Sequence, residues 1–70
     1  MNITKPQREL LREISAWDYP DGVWLEQLGI GERAAAGALI RRGLAVTTGE
    51  GGKLCATRTG HTFMRKTKSE

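Results

Sequence analysis

Cysteine and histidine are almost absent from this chain of 70 residues, which has one of each, Cys55 and His61. A single copy therefore has neither two cysteines for a disulfide nor the set of Cys and His ligands that a zinc site requires. We expect a reduced, cytoplasmic setting, with no metal and no cofactor. His61 has no Cys, Asp or second His at ligand spacing and is expected to be a partly exposed helix residue. Cys55, in the apolar segment Leu54–Ala56, is expected to be a buried packing residue.

Long apolar runs are also absent. No segment approaches the roughly 20 apolar residues of a membrane-spanning helix, and the first ten residues, MNITKPQREL, have no apolar signal core. A domain of this size buries only about 60% of the surface that its unfolded chain exposes, so a deep substrate cavity is not expected. We predict one non-enzymatic domain over residues 1–70, ordered over about residues 3–66, without a membrane contact.

Aromatic side chains are few: two Trp, one Tyr and one Phe. A binder of RNA or single-stranded nucleic acid stacks bases on exposed aromatic rings, so this class is less expected here. We expect Trp17 and Trp24 to fill the small core. At a surface, however, Trp24 or Tyr19 would be able to anchor a partner protein.

Charge is present but unevenly distributed, with a formal net charge of +3. Residues 1–40 contain four Lys or Arg and six Asp or Glu, a balance of −2, whereas residues 41–70 contain seven and two, a balance of +5. A cationic C-terminal half attracts a polyanion such as nucleic acid, or it simply keeps a small protein soluble. Charge alone does not separate these interpretations.

The N-terminal segment has the pattern of a helix from about Lys5 to Trp17. Thr4 and Gln7 form a capping-box pattern, and Pro6 is tolerated in a first helical turn. The apolar residues at helical spacing are Leu10, Leu11, Ile14 and Trp17.

Two further helices are predicted before residue 44. The residues DYPDG end the first helix, since proline disfavours helix at the preceding residue and Asp-Gly is typical of turns. A short helix is then expected near Val23, with Trp24, Leu25 and Leu28 facing inward. A third is expected from about Glu32 to Arg42, followed by Gly43 as its C-terminal glycine.

The pattern then changes from helical to extended. Residues 44–48 and 53–57 are rich in Thr, Val and Leu, and the intervening GEGG contains the glycines of a hairpin turn. Thr57 is expected to cap a short final helix that packs through Phe63 and Met64. We therefore predict a mostly α fold with a small β-hairpin: a three-helix core, a two-stranded wing and a short C-terminal helix.

Four segments resemble a winged helix-turn-helix domain, and within that superfamily the MarR-type regulators. ITKPQRELLREI is similar to the opening helix of the family, LGIG to its helix-turn-helix turn, LIRRGLAV to the end of its recognition helix, and ATRTGHTFM to the helix after its wing. The likeness covers residues 3–64. MarR-type proteins dimerise through long additional helices that this chain is too short to contain, so a homodimer is compatible with the resemblance but is not indicated.

The outer face of the third helix has few functional side chains. Helical spacing turns Ala35, Ala36 and Leu39 toward the core, and of the outward residues only Arg33 and Arg41 can donate a side-chain hydrogen bond. A bare face between two arginines allows close approach of duplex DNA, where Arg binds phosphate or guanine and an alanine methyl contacts thymine. It also allows close packing of a protein helix, or it is simply a solvated face made of good helix formers.

The resemblance implies a small DNA-binding protein, a prokaryotic or phage transcriptional regulator that uses the helix at residues 32–42 and the wing at residues 44–57 on double-stranded DNA. Lys53 and Arg58 are expected to reach the phosphate backbone. The alternative is a protein–protein interaction module on a winged-helix scaffold, since a fold does not determine function. The candidate DNA-binding residues are Arg33, Ala34, Gly37, Ala38, Arg41, Lys53 and Arg58.

Overall fold

The computed structural model describes residues 3–49 and 52–68 and contains three helices and a three-stranded antiparallel sheet. In chain order the elements are α1 (Lys5–Ile14), β1 (Val23–Trp24), a 3-10 turn (Leu25–Gln27), α2 (Ile30–Arg41), β2 (Ala45–Thr47), β3 (Lys53–Ala56) and α3 (Arg58–Lys68). None of the described helices is long and apolar enough to cross a membrane.

The first helix, α1, begins at the predicted capping box and ends earlier than predicted. The Gln7 N–H donates to Thr4 Oγ1 at 3.3 Å, and the Thr4 N–H donates to Gln7 Oε1 at 3.4 Å. The predicted end at Trp17 is wrong, because the N–H groups of Ala16 and Trp17 bond to carbonyls three residues back, which tightens the chain after Ile14. Trp17 thereby leaves the buried face of the helix and is 49% exposed.

The short helix expected near Val23 is not formed. Val23 and Trp24 instead pair with Leu54 and Lys53 of β3, and only the following 3-10 turn is helical. A β-branched and an aromatic residue suit a pleated strand once a partner strand is available. Leu28 is buried as predicted, but Trp24 lies on an edge strand and is 43% exposed, so the prediction that both tryptophans fill the core is wrong.

The second helix, α2, corresponds to the third helix of the prediction. It begins at Ile30, two residues before the predicted start at Glu32. Glu32 in its first turn accepts a hydrogen bond from the Gly29 N–H at 3.1 Å, which satisfies a donor that a helix start otherwise leaves unpaired. Arg42 is the C-terminal cap, and Gly43 follows with φ +78°, as expected of a glycine after a helix.

The sheet has three strands, not the two that the sequence predicts. The central strand is β3, which pairs with β1 on one side and with β2 on the other. The hairpin closes where the Thr48 N–H donates to the Lys53 carbonyl at 2.9 Å and the Lys53 N–H donates to Thr48 Oγ1 at 3.1 Å. Residues 50 and 51 of the predicted GEGG turn lie outside the described ranges.

The third helix, α3, is capped by Thr57 as predicted. The Gly60 N–H donates to Thr57 Oγ1 at 3.0 Å, and the Thr57 hydroxyl donates to the Gly43 carbonyl at 2.7 Å. Phe63 and Met64 pack against the core, also as predicted, and the helix continues to Lys68. The core between the helices and the sheet consists of Leu10, Leu11, Ile14, Leu28, Ala35, Ala36, Leu39, Leu44, Ala45, Leu54 and Ala56.

Candidate nucleic-acid interface

One face of α2 is directed away from the core, and we name it the α2 stripe: Arg33, Ala34, Gly37, Ala38 and Arg41. The opposite face is buried at Ala35, Ala36 and Leu39, as predicted. Within the stripe Arg33, Ala34 and Arg41 are exposed, whereas Gly37 and Ala38 are partly covered.

The Arg41 side chain extends back along the helix over Gly37. A Cβ atom added at Gly37 would lie 3.6 Å from the Arg41 terminal nitrogen Nη1, an ordinary contact distance. Residues four apart lie on the same side of a helix. The guanidinium of Arg41 therefore lies beside the smallest residue of the stripe.

The α2 stripe adjoins the hairpin. Arg33, Gly37 and Ile40 line a shallow groove of about 350 Å³ together with Thr47 of β2 and Glu26 of the 3-10 turn. Next to this groove, the Leu25 N–H donates to the carbonyl of Gly52 at 2.8 Å, which ties the 3-10 turn to the hairpin.

Two of the candidate residues lie away from the α2 stripe. Lys53 is drawn toward β1: its Nζ lies 3.7 Å from a carboxylate oxygen of Asp21 and 4.7 Å from the centre of the Trp24 ring. Arg58 is exposed at the start of α3 and lines a separate depression with Asp18 and Tyr19. The structure thus brings Arg33, Gly37 and Arg41 together and leaves Lys53 and Arg58 apart from them.

Three exposed apolar residues lie around the α2 stripe and were not predicted from the sequence. Ile30 at the start of α2 is 91% exposed, Ile40 is 41% exposed, and Val46 on β2 is 38% exposed. The helical spacing of Ile30 with Ala34 and Gly37 places it on the outward face, so this residue at least was detectable from the sequence. Its exposure gives the stripe an apolar character at its N-terminal end.

The cysteine and the histidine have the environments that the sequence predicts. Cys55 is fully buried, and its thiol donates to the Pro20 carbonyl with a sulfur–oxygen distance of 3.4 Å. Burial, with a smaller contribution from the Asp21 charge, raises the pKa of this thiol, and the Lys53 charge opposes the shift. A buried neutral thiol is a poor nucleophile. His61 is half-buried on α3, and the described residues contain no group of three or more His, Cys, Asp or Glu side chains able to hold a metal ion.

Comparison of this chain with protein-family models, with curated proteins and with solved structures finds no match.

Proposed function

We propose that this protein binds duplex DNA as a minimal winged helix of MarR-like type, with α2 as the recognition helix and the β2–β3 hairpin as the wing. The observation that carries the proposal is the α2 stripe, in which Arg33 and Arg41 are exposed on either side of Gly37, and Arg33 and Gly37 line a groove with Thr47 of the hairpin. Arginine is suited to this role because its planar guanidinium binds either a phosphate or a guanine edge through two hydrogen bonds.

The spacing of the two arginines matches the dimensions of DNA. Eight residues separate Arg33 from Arg41, which corresponds to about 12 Å along a helix axis. The major groove of B-form DNA is also about 12 Å wide. Once the flexible Arg41 side chain swings away from Gly37, a helix lying across the groove would bring one arginine toward each phosphate strand, and the small residues between them would allow the backbone of α2 to approach the bases.

The order of elements supports the winged-helix interpretation. A helix, a short strand, a turn and α2 precede the hairpin, and the strand pairs with the hairpin to make a three-stranded sheet. In the order of elements along the chain, the 3-10 turn at residues 25–27 corresponds to the second helix of a winged helix. The role we assign is regulation by occupying or bending a DNA site in the cytoplasm of a prokaryotic or phage-infected cell, rather than by chemistry.

A protein-interaction module is the second candidate, and the exposed apolar residues favour it. Ile30 and Ile40 flank the stripe of small residues, and Glu26 places a negative charge in the same groove as Arg33. An apolar helical face of this kind packs closely against a helix of another protein, whereas DNA offers an apolar contact mainly at the thymine methyl group. The two candidate functions therefore predict different effects of substitutions at the same residues.

Fluorescence anisotropy with a labelled duplex at two salt concentrations separates them. If two to three phosphates are neutralised, the slope of log affinity against log salt is about −2 to −3. We expect Arg41→Ala to weaken binding by about 1 to 3 kcal/mol. Lys5→Ala is the matched control, because it removes the same charge from an exposed site on α1 outside the α2 stripe.

Two outcomes contradict the DNA proposal. One is the absence of duplex binding below about 100 μM at low salt, which is weaker than the non-specific affinity of ordinary DNA-binding domains. The other is an equal loss on Lys5→Ala and Arg41→Ala, which means that net charge rather than the α2 stripe drives binding. If the partner is a protein, Ala38→Leu abolishes binding by holding the two surfaces apart, whereas Arg41→Ala changes mainly the association rate and its salt dependence.

A further inference from the structure

A groove between α1 and α3 is lined by cationic side chains, and we name it the arginine groove. It has a volume of about 610 Å³, with Arg8 and Arg12 on α1 and His61 and Arg65 on α3 among its lining residues. Each pair is spaced four residues apart, so each occupies one side of its helix. The two helices thus present rows of cationic or polar groups to one another across a partly apolar floor that includes Met64.

The guanidinium groups of this groove have no carboxylate partner in the part of the chain that the structure describes. Within residues 3–49 and 52–68, none of Arg8, Arg12 and Arg65 forms an ion pair with an acidic side chain, and no Asp or Glu is among the described residues that line the groove. Like charges held near one another repel, and an anionic occupant relieves that repulsion while it gains charge-assisted hydrogen bonds. The groove is therefore suited to an acidic ligand.

An exposed acidic and aromatic segment lies in the same molecule. We name residues 17–21, with the sequence WDYPD, the aromatic loop, and all five of its residues are exposed. Trp17 is 49% exposed and Tyr19 is 65% exposed. Asp18 has no ion-pair partner among the described residues, in contrast to Asp21, which is paired with Lys53. This loop supplies the carboxylate and the aromatic rings that arginines bind well.

The aromatic loop and the arginine groove adjoin one another. Asp18 and Tyr19 line a depression with His61 and Arg65, and the same two residues of α3 also line the groove. When a protruding segment and its complementary groove lie side by side on one face, a two-fold rotation brings each segment to the groove of the other copy.

We infer that two copies of this chain associate reciprocally, with the aromatic loop of each copy in the arginine groove of the other. Asp18 of one copy accepts hydrogen bonds from the Arg8 and Arg12 guanidinium groups of the second, and the Tyr19 ring stacks on Arg65. No residue of the α2 stripe lines either surface, so association leaves that stripe free. The inference is independent of DNA binding and is tested without nucleic acid.

Sedimentation equilibrium of the full chain measures this association. A small polar interface gives a Kd in the micromolar to millimolar range, so the protein is studied at about 0.5 mM. At about 10 mM salt, where charges act over about 30 Å, we expect an average mass well above the monomer value of 7.7 kDa; at about 1 M salt, where the screening length is about 3 Å, we expect the monomer.

Two charge reversals provide the specific test. Arg12→Glu alters only the groove and Asp18→Arg alters only the loop, and each alone weakens self-association at least about tenfold, or about 1.4 kcal/mol. Mixed in equal amounts, they associate as strongly as the wild type, because one loop–groove contact is native and the other has its charges exchanged. Arg42→Glu, a charge reversal of the same size at an exposed residue outside both surfaces, retains wild-type association.

Circular dichroism confirms that each variant is folded, and recovery in the mixture itself shows that both chains are intact. A wild type that stays monomeric at about 10 mM salt and about 0.5 mM protein overturns the inference. So does a mixture that remains monomeric although both variants are folded, or an Arg42→Glu variant that loses association equally. If the wild type is monomeric and Arg12→Glu instead abolishes duplex binding, the occupant of the groove is DNA phosphate and the inference is also overturned.

Discussion

Replacing Gly60 by alanine adds one methyl group at the closest approach of α3 to the rest of the fold. A Cβ atom there overlaps the carbonyl oxygen of Leu44 and lies 3.3 Å from Cδ1 of Leu11. Neither neighbour moves easily, because both leucines are fully buried and the Leu44 carbonyl also accepts a hydrogen bond from the Thr57 N–H at 3.1 Å. The helix must therefore shift away from Leu44 as a unit.

The expected change in the free energy of unfolding is the difference between two opposed contributions. Alanine is favoured over glycine in a helix by about 0.5 to 1 kcal/mol, whereas overpacking of a close contact costs about 1 to 3 kcal/mol and occasionally more. We expect the overlap at Gly60 to dominate, with a net loss of about 1 to 2 kcal/mol. In a domain of 60 to 100 residues, each kcal/mol lowers the Tm by about 4 to 8 °C, so Gly60→Ala should melt about 5 to 15 °C below the wild type.

Two other helical glycines serve as matched controls. Gly31 lies in the first turn of α2, as Gly60 lies in the first turn of α3, and a Cβ there meets no atom within 4 Å. Gly37 lies in the middle of α2, with only the end of the flexible Arg41 side chain at 3.6 Å. Alanine at either position should raise the Tm by about 2 to 8 °C. Thermal unfolding followed by circular dichroism measures all three variants, and a Gly60→Ala variant that melts at or above the wild type would refute the close packing of α3 against Leu44.

Three further predictions concern the core, the thiol and the first helix cap. Leu39 is fully buried on the inward face of α2, so Leu39→Ala should lower the free energy of unfolding by about 2 to 5 kcal/mol in urea titrations; a loss below about 1 kcal/mol would mean that α2 is rotated. Because burial raises the pKa of Cys55 above its ordinary value of 9.0, its neutral form stabilises the fold below that pH, and this contribution is lost as the pH rises above it. The stability of the wild type relative to Cys55→Ala should accordingly stay constant below about pH 8 and fall as the pH rises above 9.0, and a difference that stays constant above pH 9.0 would contradict the burial of the thiol. Thr4→Ala removes the acceptor for the Gln7 N–H and should cost about 1 kcal/mol in the same titrations; an unchanged stability would show that the capping box does not hold α1 in solution.

Features determined by neighbouring residues could be predicted from the sequence. The Thr4–Gln7 capping box, the positive φ of Gly43 and the Thr57 cap each depend on a few consecutive residues, and all three are present in the structure. The burial of Leu39 was also predictable, because helical periodicity identifies the inward face of a helix once its register is known.

Features that depend on distant pairing could not be predicted in this way. The strand at Val23 and Trp24 exists because β3, about 30 residues later, provides its hydrogen bonds, and the local pattern alone favours a helix. The same pairing brings Lys53 to Asp21 and the Trp24 ring, which removes it from the hairpin surface where the sequence placed it.

The same distinction between local spacing and distant packing applies to the candidate surfaces. The two arginines of the α2 stripe follow from the spacing within one helix, and so does the pairing of Arg8 with Arg12 on α1. The approach of Arg65 to that pair depends on how α3 packs against α1, which no local pattern specifies.

The last strand in the chain occupies the middle of the sheet, and this position has a consequence for the order of folding. The strands β1 and β2 make no ladder with one another, so each can pair only when β3 is in place. Closing the contact between Val23 and Leu54 requires a loop of about 30 residues to form, whose entropy cost precedes any gain from the pairing. A fragment that ends before Lys53 therefore contains no sheet at all, and a growing chain can organise its N-terminal helices but must wait for residues 53–56 before its two outer strands have a partner.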